Sequence, residues 1–433
     1  MLRIIASVHI CMRLAVLALA ILSNSFAVRA NAVAENTDEW RQARADSAHS
    51  SYLPTTIHPP LTVAWRIPIH GDGGVEGSGN TIYLTDSGYA SGLDMAHIPT
   101  WPIVEALSAR DGTVMWGVRS ESQPPESAFD SIATPVGVIQ LDSNYHHPVL
   151  RCLAENDGRE LWRYSFDSNS GADLSCQLTN GNVLLSEERN PSGLAYLDEI
   201  DSSTGRLVNR RLLDLGNWDS ERRYLYGNGG QIPGPGDWLY ISNGLTTITL
   251  MGGVLGTIHG LLWTDVSNIW TAPVAGTNFL YLGLVSDQSM LALDKRAERV
   301  WETRLPPNDI AHHSPGPSNV AVTPKFLVYV FGSRLFALDR YSGRIAWKSS
   351  RGMDVQYGPI VTGGIVYVST INKPGQYEPN AITAFSLKTG RALWTKIIGY
   401  SITHIVAHRG ALYVVDRSED NRYSLMRLNQ AGA

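Results

Sequence analysis

Ala337-Leu338-Asp339-Arg340-Tyr341-Ser342-Gly343-Arg344-Ile345-Ala346-Trp347 reads as the end of one β-strand, a tight turn and the start of another. Phe336 and Leu338 alternate with small or polar neighbours, as a half-buried strand requires. The Asp339 carboxylate is placed to accept hydrogen bonds from the amides ahead of it. Gly343 suits a positive φ, so the chain is predicted to reverse over residues 340–342. Ile345 and Trp347 then resume the apolar alternation.

The pattern returns along the chain at near-constant spacing. Trp65, Trp116, Trp162, Trp301, Trp347 and Trp394 lie 51, 46, 139, 46 and 47 residues apart, and 139 is three periods of about 46. From Trp65 to Trp394 is 329 residues, seven intervals of 47, hence eight positions. Ala337, Asp339, Gly343 and Trp347 carry the full pattern. Ala106, Ser108, Gly112 and Trp116 carry it with Ser for Asp, as do Ala384, Ser386, Gly390 and Trp394. Cys152, Ala154, Gly158 and Trp162 keep only the Gly and Trp, and Asp294 to Trp301 is one residue short in the turn. Asp201 and Gly205 keep the turn but precede Asn209 in place of Trp; the unit around 245–262 has Gly252-Gly253 and no clear motif.

Between markers there is room for four short strands, predicted at 358–361, 365–369, 382–385 and 392–394 in the best unit, with Gly-, Pro- and Asn-rich connections. Units of about 45 residues with four antiparallel strands are propeller blades. The chain opens on a Trp-bearing strand, 63–67, that has no hairpin before it. It closes on a unit, 411–415 and 424–429, that lacks its fourth strand. The predicted fold is therefore all-β: an eight-bladed β-propeller of four-stranded antiparallel blades, closed by the N-terminal strand completing the last blade. Seven blades is the alternative if the unmarked unit is not one. The propeller is assigned to residues 61–433, after a polar, Pro-rich arm at 33–60.

Residues 1–32 have the form of a signal peptide, with Arg3 and Arg13 before the apolar run 14–22 and small-residue cleavage patterns ending at Ala27, Ala30 or Ala32. That run is too short to span a bilayer, which needs about 20 residues. The expected product is soluble, periplasmic or secreted, without an integral membrane segment after cleavage, and monomeric. Removing 1–32 takes away three arginines and no acid, so the formal net charge goes from −5 to −8. That argues against nucleic acid or an anionic membrane face as the main partner. For the two remaining cysteines, Cys152 and Cys176, a disulfide and two buried thiols are both open.

The units 337–347 and 384–394 resemble the pyrroloquinoline quinone (PQQ)-like propeller repeat with its tryptophan-docking motif, and the likeness covers essentially residues 61–433. The resemblance implies that the Trp of one blade stacks on the Gly-bearing turn of a neighbour. Trp65, Trp116, Trp162, Trp301, Trp347 and Trp394 would then dock with Gly112, Gly158, Gly343 and Gly390 among the turns. It also implies two functional classes: quinoprotein dehydrogenases, which bind PQQ and calcium on the axis, and non-catalytic propellers such as the scaffold lipoprotein of bacterial outer-membrane assembly. The dehydrogenases stack the quinone on a disulfide of two adjacent cysteines and are longer. Here Cys152 and Cys176 are 24 residues apart, and no calcium-loop or zinc spacing is present. The expectation is a non-catalytic protein-binding scaffold without a cofactor, with a PQQ- and calcium-dependent dehydrogenase as the alternative. No cysteine follows the apolar run to take a lipid, which departs from the scaffold lipoprotein.

The loops expected opposite the Asp/Gly turns are rich in Tyr, His and Pro. Tyr145, His146, His147, His312, His313, Tyr357 and Tyr377 form the predicted binding rim for a protein or peptide. Adjacent histidines on a strand point to opposite faces, so neither pair is a metal site by itself. Trp218, Arg222, Arg223, Tyr224 and Tyr226, in the longest link between units, are a second candidate.

Overall fold

The computed structural model describes residues 38–42, 45–46, 50–71, 73–85, 104–119, 128–142, 149–165, 174–179, 181–189, 194–214, 231–233, 238–242, 248–252, 257–261, 274–284, 289–294, 298–305, 320–331, 334–349, 354–371 and 380–431. The turn at 339–343 forms as its chemistry dictates. The Asp339 carboxylate accepts from the Tyr341 amide at 3.2 Å, the Ser342 amide at 2.9 Å and the Ser342 hydroxyl at 2.8 Å. Gly343 takes a φ of +70° and donates to Asp339 O at 2.8 Å. The glycines at 112, 158, 205 and 390 close the same five-residue turn with φ between +68° and +75°.

The small residue of the motif has a geometric reason. Ala106, Cys152, Ala292, Ala337 and Ala384 are the cross-strand partners of Trp116, Trp162, Trp301, Trp347 and Trp394. A larger side chain beside each indole would compete for the same wedge.

Strands joined by these turns build eight sheets among the described residues, each with four antiparallel strands. In chain order, sheets 1 to 8 span 75–118, 128–165, 174–214, 231–261, 274–304, 320–348, 354–399 and 401–430. Sheet 8 takes its fourth strand from the other end of the chain. Leu61–Ile69 pairs antiparallel with Tyr423–Gln430, Trp65 opposite Arg427, as the two incomplete ends predicted. Sheet 7 gains a short parallel strand, Tyr52–Leu53, on its inner edge.

The first strand of each sheet touches the first strand of the next. Ser401–His408 of sheet 8 in turn touches Val75–Ser78 of sheet 1, which gives a propeller-like arrangement. The core is correspondingly divided. Separate apolar clusters fill the wedges between sheets 1 and 2, 2 and 3, 5 and 6, and 6 and 7, and a larger one joins sheets 7, 8 and 1.

Two details differ from the sequence reading. The unmarked unit does form a sheet, but it begins earlier than expected, with strands Gln231–Pro233, Trp238–Ser242, Ile248–Gly252 and Thr257–Leu261. Asp354 to Tyr357, expected as a rim loop, belongs instead to the first of the four antiparallel strands of sheet 7, Asp354–Thr362. The strand predicted from Gly358 starts four residues earlier, because register shifts on either side of Tyr357 let it run through Gly358-Pro359.

Candidate functional site

Antiparallel order puts the Asp/Gly turns, and the turns between first and second strands, on one face of the ring. The other connections lie on the opposite face. The first can be called the turn face and the second the loop face. Tyr145, His146, His147, His312, His313 and Tyr377, with Trp218, Arg222, Arg223, Tyr224 and Tyr226, lie outside the described residues. Of the expected rim, Tyr357 is described: half-buried on the first antiparallel strand of sheet 7, its ring 5.6 Å from that of His404 on the first strand of sheet 8.

The tryptophans sit at the junctions between sheets. Trp116 donates from Nε1 to Glu155 O at 2.7 Å, Trp162 to Ser202 O at 3.1 Å, Trp301 to Arg340 O at 3.2 Å and Trp347 to Leu387 O at 2.7 Å. Trp65 donates to Ala109 O at 3.4 Å, across the junction of the two chain ends. Every acceptor stands three residues before a turn glycine, and the indole lies flat enough on that glycine that a Cβ there would meet ring carbons. The approach would be 2.6 Å at Gly158 and Gly343. Gly205 receives Trp162 in the same way, a partner legible in the Asp201–Gly205 turn. Trp394 has no such turn to meet, because in sheet 8 the two chain ends take its place, Ala431 N donating to Pro60 O at 3.0 Å.

The N-terminal arm crosses the axis on the turn face. Asp38 O accepts from Arg409 N in sheet 8, Trp40 O from Gly77 N in sheet 1 and Arg41 O from Ala133 N in sheet 2. The Gln42 amide brackets Leu178 of sheet 3, donating to its carbonyl at 3.1 Å and accepting from its amide at 2.9 Å. After a gap in the described residues, Ser50 O accepts from Val322 N in sheet 6 and Ser51 O from Val361 N in sheet 7. One segment thus contacts six sheets, and its Trp40 side chain is buried against them. No periodicity marks these residues, so the sequence showed only a polar arm.

Beside the arm, His408 is buried, with Nε2 3.0 Å from Gly79 O. Burial pushes its pKa down to about 4, helped by Arg409 and Arg427; the Gly79 carbonyl and the Glu39 carboxylate oppose the shift. Burial alone would raise Glu39, but the Gly79 amide and Arg41 hold it below the usual range. The unfolded chain protonates this histidine near 6.5. Its contribution to stability is therefore complete above about pH 6.5 and is lost as pH falls toward 4, a loss of roughly 3 kcal/mol. Urea unfolding at pH 7.5 and 4.5 should show that loss, and His408→Gln should flatten it. An unchanged acid slope in the variant would rule out His408 as the source.

The cysteine question resolves as two buried thiols and not a disulfide: Cys152 and Cys176 both lie in the wedge between sheets 2 and 3. Burial pushes the Cys152 thiol up to about 12, so it is protonated and inert at neutral pH. The two are 24 residues apart, packed in a wedge between sheets and not joined as a disulfide, so this pair does not fit the quinone seat of the dehydrogenases. Among the described residues no cluster of His, Cys, Asp or Glu is arranged to hold a metal ion. No helix among them is long and apolar enough to cross a membrane.

Repeated four-stranded sheets set around a common axis, with indoles packed on the turns of their neighbours, define a β-propeller of the PQQ-repeat class. The family model described as "Outer membrane protein assembly factor BamB" matches residues 147–431, and the chain belongs to this family. No curated protein is close enough in sequence to count as a relative. Among solved structures, quinohemoprotein alcohol dehydrogenase from Comamonas testosteroni aligns with a TM-score of 0.61 at 12% identity, covering 92% of this chain and 81% of its own. BamB from Moraxella catarrhalis aligns at 0.52 and 13% identity over 87% of this chain and 99% of its own. A europium-containing methanol dehydrogenase aligns at 0.59 and 13% identity, over 90% and 98%. At such identities these likenesses establish the fold and not the chemistry.

Proposed function

We propose that this chain is an exported, non-catalytic, eight-bladed propeller that serves as a protein-binding scaffold. The observation that carries the reading is the match of residues 147–431 to the assembly-factor family. Eight sheets in consecutive contact support eight blades, and the Trp65 junction supports closure of the ring by the N-terminal strand. The tryptophans and turn glycines act as structural clasps between blades. The signal-peptide form of residues 1–32 supports export to the periplasm or beyond as a soluble monomer. Partner binding is assigned to the loop face, where the sequence places the Tyr- and His-rich connections.

The dehydrogenase alternative has a direct test. A ligand that binds the native state at about 100 times its Kd stabilises by about 2.7 kcal/mol, a shift of several degrees in unfolding temperature. Saturating PQQ with calcium should leave the unfolding temperature of the purified protein unchanged. A clear upward shift would overturn the non-catalytic reading.

A further inference from the structure

Charge is unevenly distributed over the ring. The whole chain has 35 Lys and Arg against 40 Asp and Glu, yet residues 320–400, which make sheets 6 and 7, have ten against three. The single described acid on their turn face, Asp339, has its carboxylate engaged by its own turn. Around it Arg344, Lys348, Lys388 and Arg391 are all exposed. They form one patch, because Trp347 ties the outer strand of sheet 6 to Leu387, in the very turn that carries Lys388 and Arg391.

The patch runs into a strand with an open edge. Ala392–Gly399 is the outermost strand of sheet 7, eight residues long, and among the described residues its one strand partner is Asn380–Ser386. Its outward face carries Leu393, 48% exposed, Thr395, and Ile397, 56% exposed. Proteins protect such edges with proline, acids or a lysine standing over them. This strand has no proline and no acid, and Lys396 is turned away, donating to Leu61 O at 3.3 Å. The comparable edge Leu61–Ile69 contains Pro68, and Glu160–Ser165 is capped by its Arg163–Glu160 ion pair.

We propose that this edge receives an extended, acidic segment of a partner polypeptide, which adds as a strand to sheet 7. Its alternate apolar side chains lie on Leu393 and Ile397, about 13 Å apart along the strand, and its carboxylates meet Lys388, Arg391 and Arg344. A polypeptide fits better than an anionic membrane. The exposed apolar groups line a strand whose outer edge has no neighbouring strand among the described residues, and a lipid surface would leave that edge unused. The site is separate from the loop face, so variants at the two surfaces distinguish failure of this proposal from failure of the scaffold reading.

The test uses a fluorescein-labelled eight-residue peptide of alternating glutamate and valine, with fluorescence anisotropy against the full exported chain. Saturable binding is expected, weakened at least tenfold by Lys388→Glu with Arg391→Glu and at least threefold by Ile397→Asp. Arg206→Glu, at the matching turn position of sheet 3, should change it less than twofold. Amides of residues 392–399 should gain hydrogen-exchange protection on binding. No binding at 1 mM peptide, or equal loss with Arg206→Glu, would overturn the proposal. So would binding of phosphatidylglycerol vesicles that responds to the same substitutions while the peptide does not bind.

Discussion

A chain lacking residues 61–69 should lose cooperative folding altogether, because those residues close the ring. Three losses coincide in that deletion. Trp65, half-buried, leaves its place on the turn of sheet 1; a fully buried indole would cost about 3–5 kcal/mol, and its partial exposure puts the loss at the lower end. Arg66 no longer meets Asp416, a 2.6 Å ion pair in which the carboxylate is almost fully buried. Stranding a buried charge in this way costs about 3 kcal/mol or more. The strand Tyr423–Gln430 is left with an open edge. Domain stability is usually about 5–15 kcal/mol, so the losses are of the same size as the whole. Urea unfolding followed by tryptophan fluorescence is the measurement. A deletion variant with the wild-type midpoint would show that the ring does not depend on this closure.

The second large effect concerns a single turn. Gly390 sits at φ +68°, and a Cβ there would run into the six-membered ring of Trp347. The left-handed conformation alone costs an alanine about 1–2 kcal/mol. The clash raises the total for Gly390→Ala to about 2–4 kcal/mol. In a Trp347→Ala background the clash is gone, and Gly390→Ala should cost only the backbone share. A double-mutant cycle should therefore return a coupling energy of about 1–2 kcal/mol. Equal costs in the two backgrounds would mean that the indole does not rest on this turn.

The parts of the fold that could be read from the sequence are those decided within ten residues or so. Asp339 caging its own turn, Gly343 taking a positive φ and Ala337 standing across from Trp347 are local events, so they repeat wherever the residues repeat. Closure was legible for a related reason. An unpaired strand at one end and a three-stranded unit at the other leave one economical way to satisfy both edges, and Leu61–Ile69 takes it. Tyr357 misled because Gly358-Pro359 looked like the start of a strand, whereas a bulged strand runs through it from Asp354. The sheet at 231–261 hid its start because Trp238 opens a strand and does not follow an Asp/Gly turn, so the repeat pattern does not mark it.

The candidate surfaces were less legible, and the reason is distance. Gln42 bonds to a residue 136 positions away, and His408 to a carbonyl 329 positions away. Neither polar side chain announces its partner, because the pairing exists only after the sheets have taken their order around the axis. The same holds for the basic edge of sheet 7. Its composition is written in residues 320–400, but only packing brings Lys388 and Arg391 beside the outer strand of sheet 6. By itself, the sequence determined the repeated hairpin, the small residue beside each indole and the joining of the two chain ends, since each follows from turn chemistry and period-two alternation. The tertiary structure alone decided that the arm crosses the axis on the turn face, that His408 is held neutral there, and that one outer strand stands open beside a cluster of cations. Those are properties of neighbouring sheets, and which sheets are neighbours is set when the ring closes.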